Sequence, residues 1–130
     1  NNYNRTVYFY FDWWFNCCVG LACLAIVIFL EARGEPLQGQ IAVGQVVMNR
    51  VVSSKYPNSI CGVVNQPDQF AFNLSKNPST AAYFVALSLP HHKDLVDGAT
   101  HFYSGNEPFW AQGMEMTLSV GGHKFFREKK

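Results

Sequence analysis

The apolar run Leu24 to Leu30 (LAIVIFL) ends directly on a carboxylate, Glu31, and a second carboxylate, Glu35, follows inside a Gly-Glu-Pro step. Burying a charge is costly, so the charge marks where the buried element has to stop. The stretch Leu30 to Val52 (LEARGEPLQGQIAVGQVVMNRVV) therefore reads as the end of one buried helix, a corner, and a second buried helix. Gly34 suits the left-handed conformation that commonly ends a helix. Pro36 disfavours helical geometry at Glu35 and suits the first turn of the next helix. Glu31 then lies in the last turn of helix one and Glu35 at the break. Their i,i+4 spacing would place them on one face only if the helix continued, which the Gly-Glu-Pro step argues against.

A half-buried carboxylate after an apolar helix is expected to have a raised pKa, which makes Glu31 a candidate general acid. The competing reading is a structural ion pair with Arg33 or Arg50. For Glu35 the competing reading is a helix-start carboxylate favoured by the dipole. In helix two, Gln38, Ala42, Gln45 and Asn49 fall on one helical stripe, while Ile41, Val43, Val46, Val47, Met48, Val51 and Val52 cover most of the rest. A neutral amide stripe can hydrogen-bond sugar hydroxyls and N-acetyl groups, or equally tie down a neighbouring loop.

The block EARGEPLQGQIAVGQVVMNRV resembles the signature of the SleB-type cell wall hydrolases, the spore-cortex-lytic family and its phage and bacterial relatives. Three further blocks follow in the family's order: ICGVVNQPDQF at 60–70, GATHFYSGNEPFWA at 98–111 and GGHKFFR at 121–127. Together they run from about Leu21 to Arg127, and four ordered blocks are far more specific than one. The resemblance implies an α+β, mostly helical, lysozyme-like or lytic-transglycosylase-like single domain with a small β-hairpin region. It implies action on the peptidoglycan glycan strand and makes the first glutamate of EARGE, Glu31, the catalytic one. The same blocks place Cys23 ahead of EARGE and Cys61 in ICGVV. Either the two form a disulfide, if the protein works outside the cytoplasm, or they are buried free thiols packed as small apolar groups. Free thiols are the preferred reading, but the places of the two cysteines in the family blocks imply that they lie close enough to bridge, with Cα atoms under about 7 Å apart.

At 130 residues the chain is expected to hold one domain, read as 19–130, preceded by an aromatic leader at 1–18. The 48% hydrophobic fraction excludes disorder, and a net charge of +1 with no basic stripe before the Lys124–Lys130 tail gives no nucleic-acid partner. The chain begins at Asn1 without Met, so it reads as processed or as part of a longer product. In the leader, aromatics crowd Val7 to Phe15 with Asp12 the only charge, and Val7 to Phe11 has strand propensity. Trp13 to Leu30 qualifies on length and polarity as a membrane-spanning candidate. Sparse basic flanks and the block match favour a buried helix instead, with membrane association the less favoured alternative.

Residues 53–79 read as loop, punctuated by Pro57, Gly62, Pro67 and Pro78. In the family comparison Gln66, Gln69 and Phe70 would line a groove; turn chemistry and core packing are the alternative. Thr80 to Leu89 reads as a third helix that Pro90 stops. His91 and His92 read as surface or capping residues. Residues 98–105 read as a short strand into a turn, with His101 and Tyr103 on one face and Thr100, Phe102 and Ser104 on the other. Tyr103 and Trp110, as rings that stack on sugars, are candidate subsite platforms, and His101 shares their face. Met116–Ser119 and Gly122–Phe126 read as a final hairpin, with His123 facing a cleft or making a structural hydrogen bond.

The leading expectation is an enzyme that cuts the MurNAc–GlcNAc bond with one acid/base glutamate, Glu31. Glu35, Gln45, Asn49, Gln69, Phe70, His101, Tyr103 and Trp110 are its candidate substrate contacts. No cofactor or metal is called for, and a monomer acting on the bacterial wall is expected, with a phage or Gram-negative context suggested by the leader. Hydrolysis would need a second carboxylate about 5 to 9.5 Å away, and Asp68, Asp94, Asp97, Glu107 and Glu115 are scattered. A zinc amidase ranks lower because His91, His92, His101 and His123 lack ligand spacing. A non-enzymatic envelope or virion component that binds glycan is the third alternative.

Overall fold

In the computed structural model, which describes residues 19–73 and 75–130, the run before Glu31 is helix α1, Val19–Ala32. Apart from the exposed Val19, its side chains are buried or half-buried, as expected of a helix that is apolar all round. The strand proposed at Val7–Phe11, the leader 1–18, and Cys17 and Cys18 lie outside the described residues. Among the described residues no helix is long and apolar enough to cross a membrane.

The corner forms as its sequence requires. Gly34 has φ +82°, a left-handed conformation open to glycine without strain. The Glu35 N–H returns to the Ala32 carbonyl at 3.0 Å, and Pro36 precedes helix α2, Leu37–Val52. All of Ile41–Val51 is buried, because α2 runs through the centre with neighbours on every side.

The segment expected to be loop holds a short helix, α3, Ile60–Val64, whose N-terminus is capped by the Ser59 hydroxyl accepting from the Gly62 N–H at 3.0 Å. One turn of helix is too short to show a period, so only the Ser cap marks it. Helix α4, Thr80–Ser88, is capped in the same way by Ser79, and Pro90 lies in the 3-10 turn Leu89–His91 that ends it. Cys23 of α1 and Cys61 of α3 are joined by a disulfide with Cα atoms 5.4 Å apart, within the expected reach, and the preference for free thiols is corrected. The two helices pack directly, and that brings the sulfurs together.

Among the described residues there are three strands: β1, His101–Ser104; β2, Glu115–Val120; and β3, His123–Arg127. They form an antiparallel sheet in the order β1-β3-β2. One core lies among the four helices, centred on Leu24, Ile28, Met48 and Leu89. A second joins α2 to the sheet through Val43, Val46, Val96 and the fully buried Phe125.

Gln38, at the start of the α2 amide stripe, is exposed, but Gln45 and Asn49 face inward, against the expectation that they contact substrate. Gln45 is fully buried; its Nε2 donates to the Lys93 carbonyl at 2.8 Å and its Oε1 accepts from the Leu95 N–H at 2.9 Å. Asn49 Nδ2 donates to the Ala99 carbonyl at 2.8 Å. Both side chains clamp the 93–99 loop, which leads into β1, and neither offers a surface to a ligand. Gln45→Ala removes the partners of two backbone groups and is expected to cost about 1–3 kcal/mol, read as a shift in the denaturant midpoint.

Candidate active site

Glu31 is half-buried in the last turn of α1. Its Oε1 accepts the Ala71 N–H at 2.5 Å, so the loop after α3 reaches back to the carboxylate. Neither Arg33 nor Arg50 pairs with it: among the described residues the ion pairs are Lys55–Glu128, His123–Glu35, Arg127–Asp97 and Arg127–Glu115.

Glu35 points a different way. Its Oε1 accepts the Gly122 N–H at 2.7 Å and faces His123 Nδ1 at 3.1 Å, which fastens the β2–β3 turn to the helix corner. Gly121 makes this approach possible. It has φ +56°, and a Cβ there would collide with the Glu35 carboxylate and come within 2.8 Å of Pro36 Cδ. The Gly122 N–H, and after it His123, hold the Glu35 carboxyl below its ordinary value. Its depressed value stabilises the fold above the unfolded-state value of about 4.3, and that contribution is lost as pH falls through the folded value. The stability difference between wild type and Glu35→Gln should therefore be level above about pH 5 and shrink in more acidic solution, as melting across pH would show. His123 is thus committed to a structural contact.

Beside this frame is a groove of about 300 Å³ lined by Arg50, Asp68, Gln69, His101, Phe102, Tyr103, Asn106, Pro108 and Trp110. Four of the expected contacts, Gln69, His101, Tyr103 and Trp110, meet here. The alternation read from β1 holds. His101 lies 5.1 Å from Trp110 between ring centroids, and Tyr103 stacks on Phe126 at 5.6 Å, with Trp110 edge-on to the same ring. Phe102, on the other face, packs on Phe70, Phe125 and His123. Phe70 therefore backs the groove instead of lining it, and the residue after it, Ala71, reaches Glu31. Burial, and then the nearby Arg50 charge, pushes His101 down from its ordinary value, so the groove presents a neutral imidazole at neutral pH. Its Nδ1 lies 2.9 Å from the Thr100 hydroxyl.

Sequence reasoning assigned no site role to five groove residues, Arg50, Asp68, Phe102, Asn106 and Pro108. Arg50 stood out only as a possible ion-pair partner, and Asp68 only as a scattered carboxylate. Asp68 has φ +59°, a left-handed turn that Asp tolerates and that nothing local in its sequence announces. A larger hollow of about 450 Å³, lined by Lys55, Tyr56, Asp97, Arg127 and Glu128 among others, holds none of the expected site residues and is rimmed by exposed ion pairs. Among the described residues no three His, Cys, Asp or Glu side chains are gathered as a metal site.

The chain matches the cell wall hydrolase family model over residues 34–126 and belongs to that family. The matched span takes in Glu35, the groove and the hairpin, and begins just past Glu31. A spore cortex-lytic enzyme of Bacillus cereus is 45% identical over 108 residues, covering 78% of this chain and 42% of that protein. One from Bacillus subtilis (strain 168) is 30% identical over 108 residues, covering 78% of this chain and 35% of that protein. The chain thus spans well under half the length of these curated relatives. The crystal structure of the catalytic domain of the Bacillus cereus SleB protein superposes with a TM-score of 0.77 at 26% identity, over 83% of this chain and 89% of that one. The catalytic domain of the germination-specific lytic transglycosylase SleB from Bacillus anthracis gives the same TM-score and identity, over 83% and 93%. The fold is that α+β domain, mostly helical with a small antiparallel sheet.

Proposed function

We propose that this domain cleaves the MurNAc–GlcNAc bond of the peptidoglycan glycan strand as a lytic transglycosylase, with Glu31 as its single acid and base. The observation that carries the reading is the position of Glu31. It ends a buried helix, and the loop that meets its carboxylate is the same loop that supplies Gln69 to an aromatic-lined groove. Tyr103 and Trp110 offer sugar-stacking surfaces, while Gln69 and Asn106 offer hydrogen bonds to hydroxyl and N-acetyl groups. Glu31 protonates the glycosidic oxygen as the bond to the anomeric carbon breaks. It then takes the proton of the muramic C6 hydroxyl as that oxygen attacks the same carbon, giving a 1,6-anhydro sugar with no water consumed.

The other carboxylates support a one-glutamate mechanism because most are already engaged. Glu35 holds the hairpin, Asp94 accepts the Val96 and Asp97 N–H groups, Asp97 and Glu115 pair with Arg127, and Glu128 pairs with Lys55. Among the described residues Asp68 and Glu107 are the exceptions, and of the two only Asp68 lines the groove. Asp68 favours, as a second reading, muramidase-type hydrolysis in which it activates water. Mass spectrometry of fragments from digested sacculi separates the two. Anhydro-muramic ends support the proposal; reducing muramic ends replace it with the hydrolytic reading. Intact glycan with free stem peptides would instead point to amidase chemistry.

A further inference from the structure

We infer that Arg50 is a positioning residue, holding the Gln69–Ala71 segment in the place from which Ala71 meets Glu31. This deepens the reading of Glu31 as the acid and rests on it for its effect on rate. Arg50 is only 4% exposed, and among the described residues no carboxylate pairs with it. A buried cation without a counter-ion is costly unless its N–H groups and its ring faces are otherwise satisfied.

Arg50 is held by three separate segments. Its Nε donates to the Thr100 carbonyl at 2.7 Å, at the entrance to β1. Its Nη1 donates to Gln69 Oε1 at 3.2 Å. The guanidinium carbon lies 4.8 Å from the Tyr56 ring centroid and 4.9 Å from that of Phe70. Only a planar cation can stack on rings and bond at its edge together; a lysine ammonium is a point charge on a flexible stem. The central helix, through this one side chain, thus grips both Gln69 and Phe70. The next residue is Ala71, whose N–H meets the Glu31 carboxylate at 2.5 Å. Arg50 also lines the groove, so the same contact sets the wall along which a glycan would lie. Loosening it moves the loop, and misplacement of about 1 Å at a reacting group costs up to about 10²-fold in rate.

The test uses Arg50→Lys and Gln69→Ala in the whole chain. Gln69 is exposed, so its variant carries the test even if Arg50→Lys folds poorly. Two readouts are taken. The first is the Ala71 amide resonance, which is deshielded by its carboxylate partner and is calibrated by Glu31→Ala, which removes that partner. The second is kcat and KM on soluble glycan strands, per folded molecule. The core variant Val85→Ala controls for lost stability in general. Both test variants should move the Ala71 resonance towards its Glu31→Ala position, and Arg50→Lys should lower kcat about tenfold or more with a smaller change in KM. An Ala71 resonance that stays put in both variants, or moves no further than in Val85→Ala, overturns the inference. So does a fall in kcat with that resonance unmoved. If Glu31→Gln remains active, the assignment of the acid fails separately, because the Ala71 resonance still reports whether Arg50 holds the loop.

Discussion

Glu31→Gln is expected to fold like the wild type and to release sacculus fragments about 10²–10⁴-fold more slowly, the usual worth of a positioned proton donor. The substitution keeps the size of the side chain and leaves an oxygen to accept the Ala71 N–H, so the loop contact survives. It removes only the proton that can be given to the glycosidic oxygen. Melting should change by no more than about 0.5 kcal/mol in stability, as for a substitution that opens no cavity. Glu35→Gln is the matching control. That carboxylate is engaged by Gly122 and His123, so its loss should loosen the hairpin while leaving measurable cleavage. The contrast is sharp because the family match covers Glu35 and starts after Glu31. A folded Glu31→Gln protein with near wild-type release would defeat the assignment. A dead but folded Glu35→Gln beside it would transfer the role.

Much of this frame was legible in the sequence because single elements carried it. An apolar run ending at a glutamate, then Gly34 and Pro36, dictates helix, corner, helix, and the structure follows. The alternation at 100–104 sorted His101 and Tyr103 from Phe102 for the same reason: a strand has a period of two whatever packs on it. The failures came where the partner decides. Gln45 and Asn49 offer the same amide atoms to a sugar or to a loop, and only the fold shows that the 93–99 loop occupies them. Arg50 looks like a surface cation or an ion-pair partner until Tyr56, Gln69, Phe70 and Thr100 close around it from other segments. Helix α3 was hidden by its brevity. The closeness of Cys61 to Cys23 was therefore legible only from their places in the family blocks, and the helix packing that produces it was not.

Replacing Cys23 and Cys61 together by Ala is expected to lower stability by about 3–4 kcal/mol, the loop-closure estimate for a bridge spanning this length of chain. The sequence separation is 38 residues, and the freed segment contains the whole corner and α2. Alanine is the right replacement because Cys23 is only 2% exposed, and a serine hydroxyl there would be buried without an assured partner. For a domain of this size the loss corresponds to a fall in Tm of roughly 10–20 °C. Wild-type protein in strong reductant should melt near the variant, and the variant should not respond to reductant. Equal melting of oxidised wild type and variant would show that the bridge contributes nothing. The bond also bears on the site. It ties α1, which ends in Glu31, to α3, which leads into the loop ending at Ala71. Both halves of the Glu31–Ala71 contact are thus anchored to one covalent link, so reduction should cost activity at temperatures where the oxidised domain is still folded. That dependence suits a domain working in an oxidising compartment, where such a bond persists.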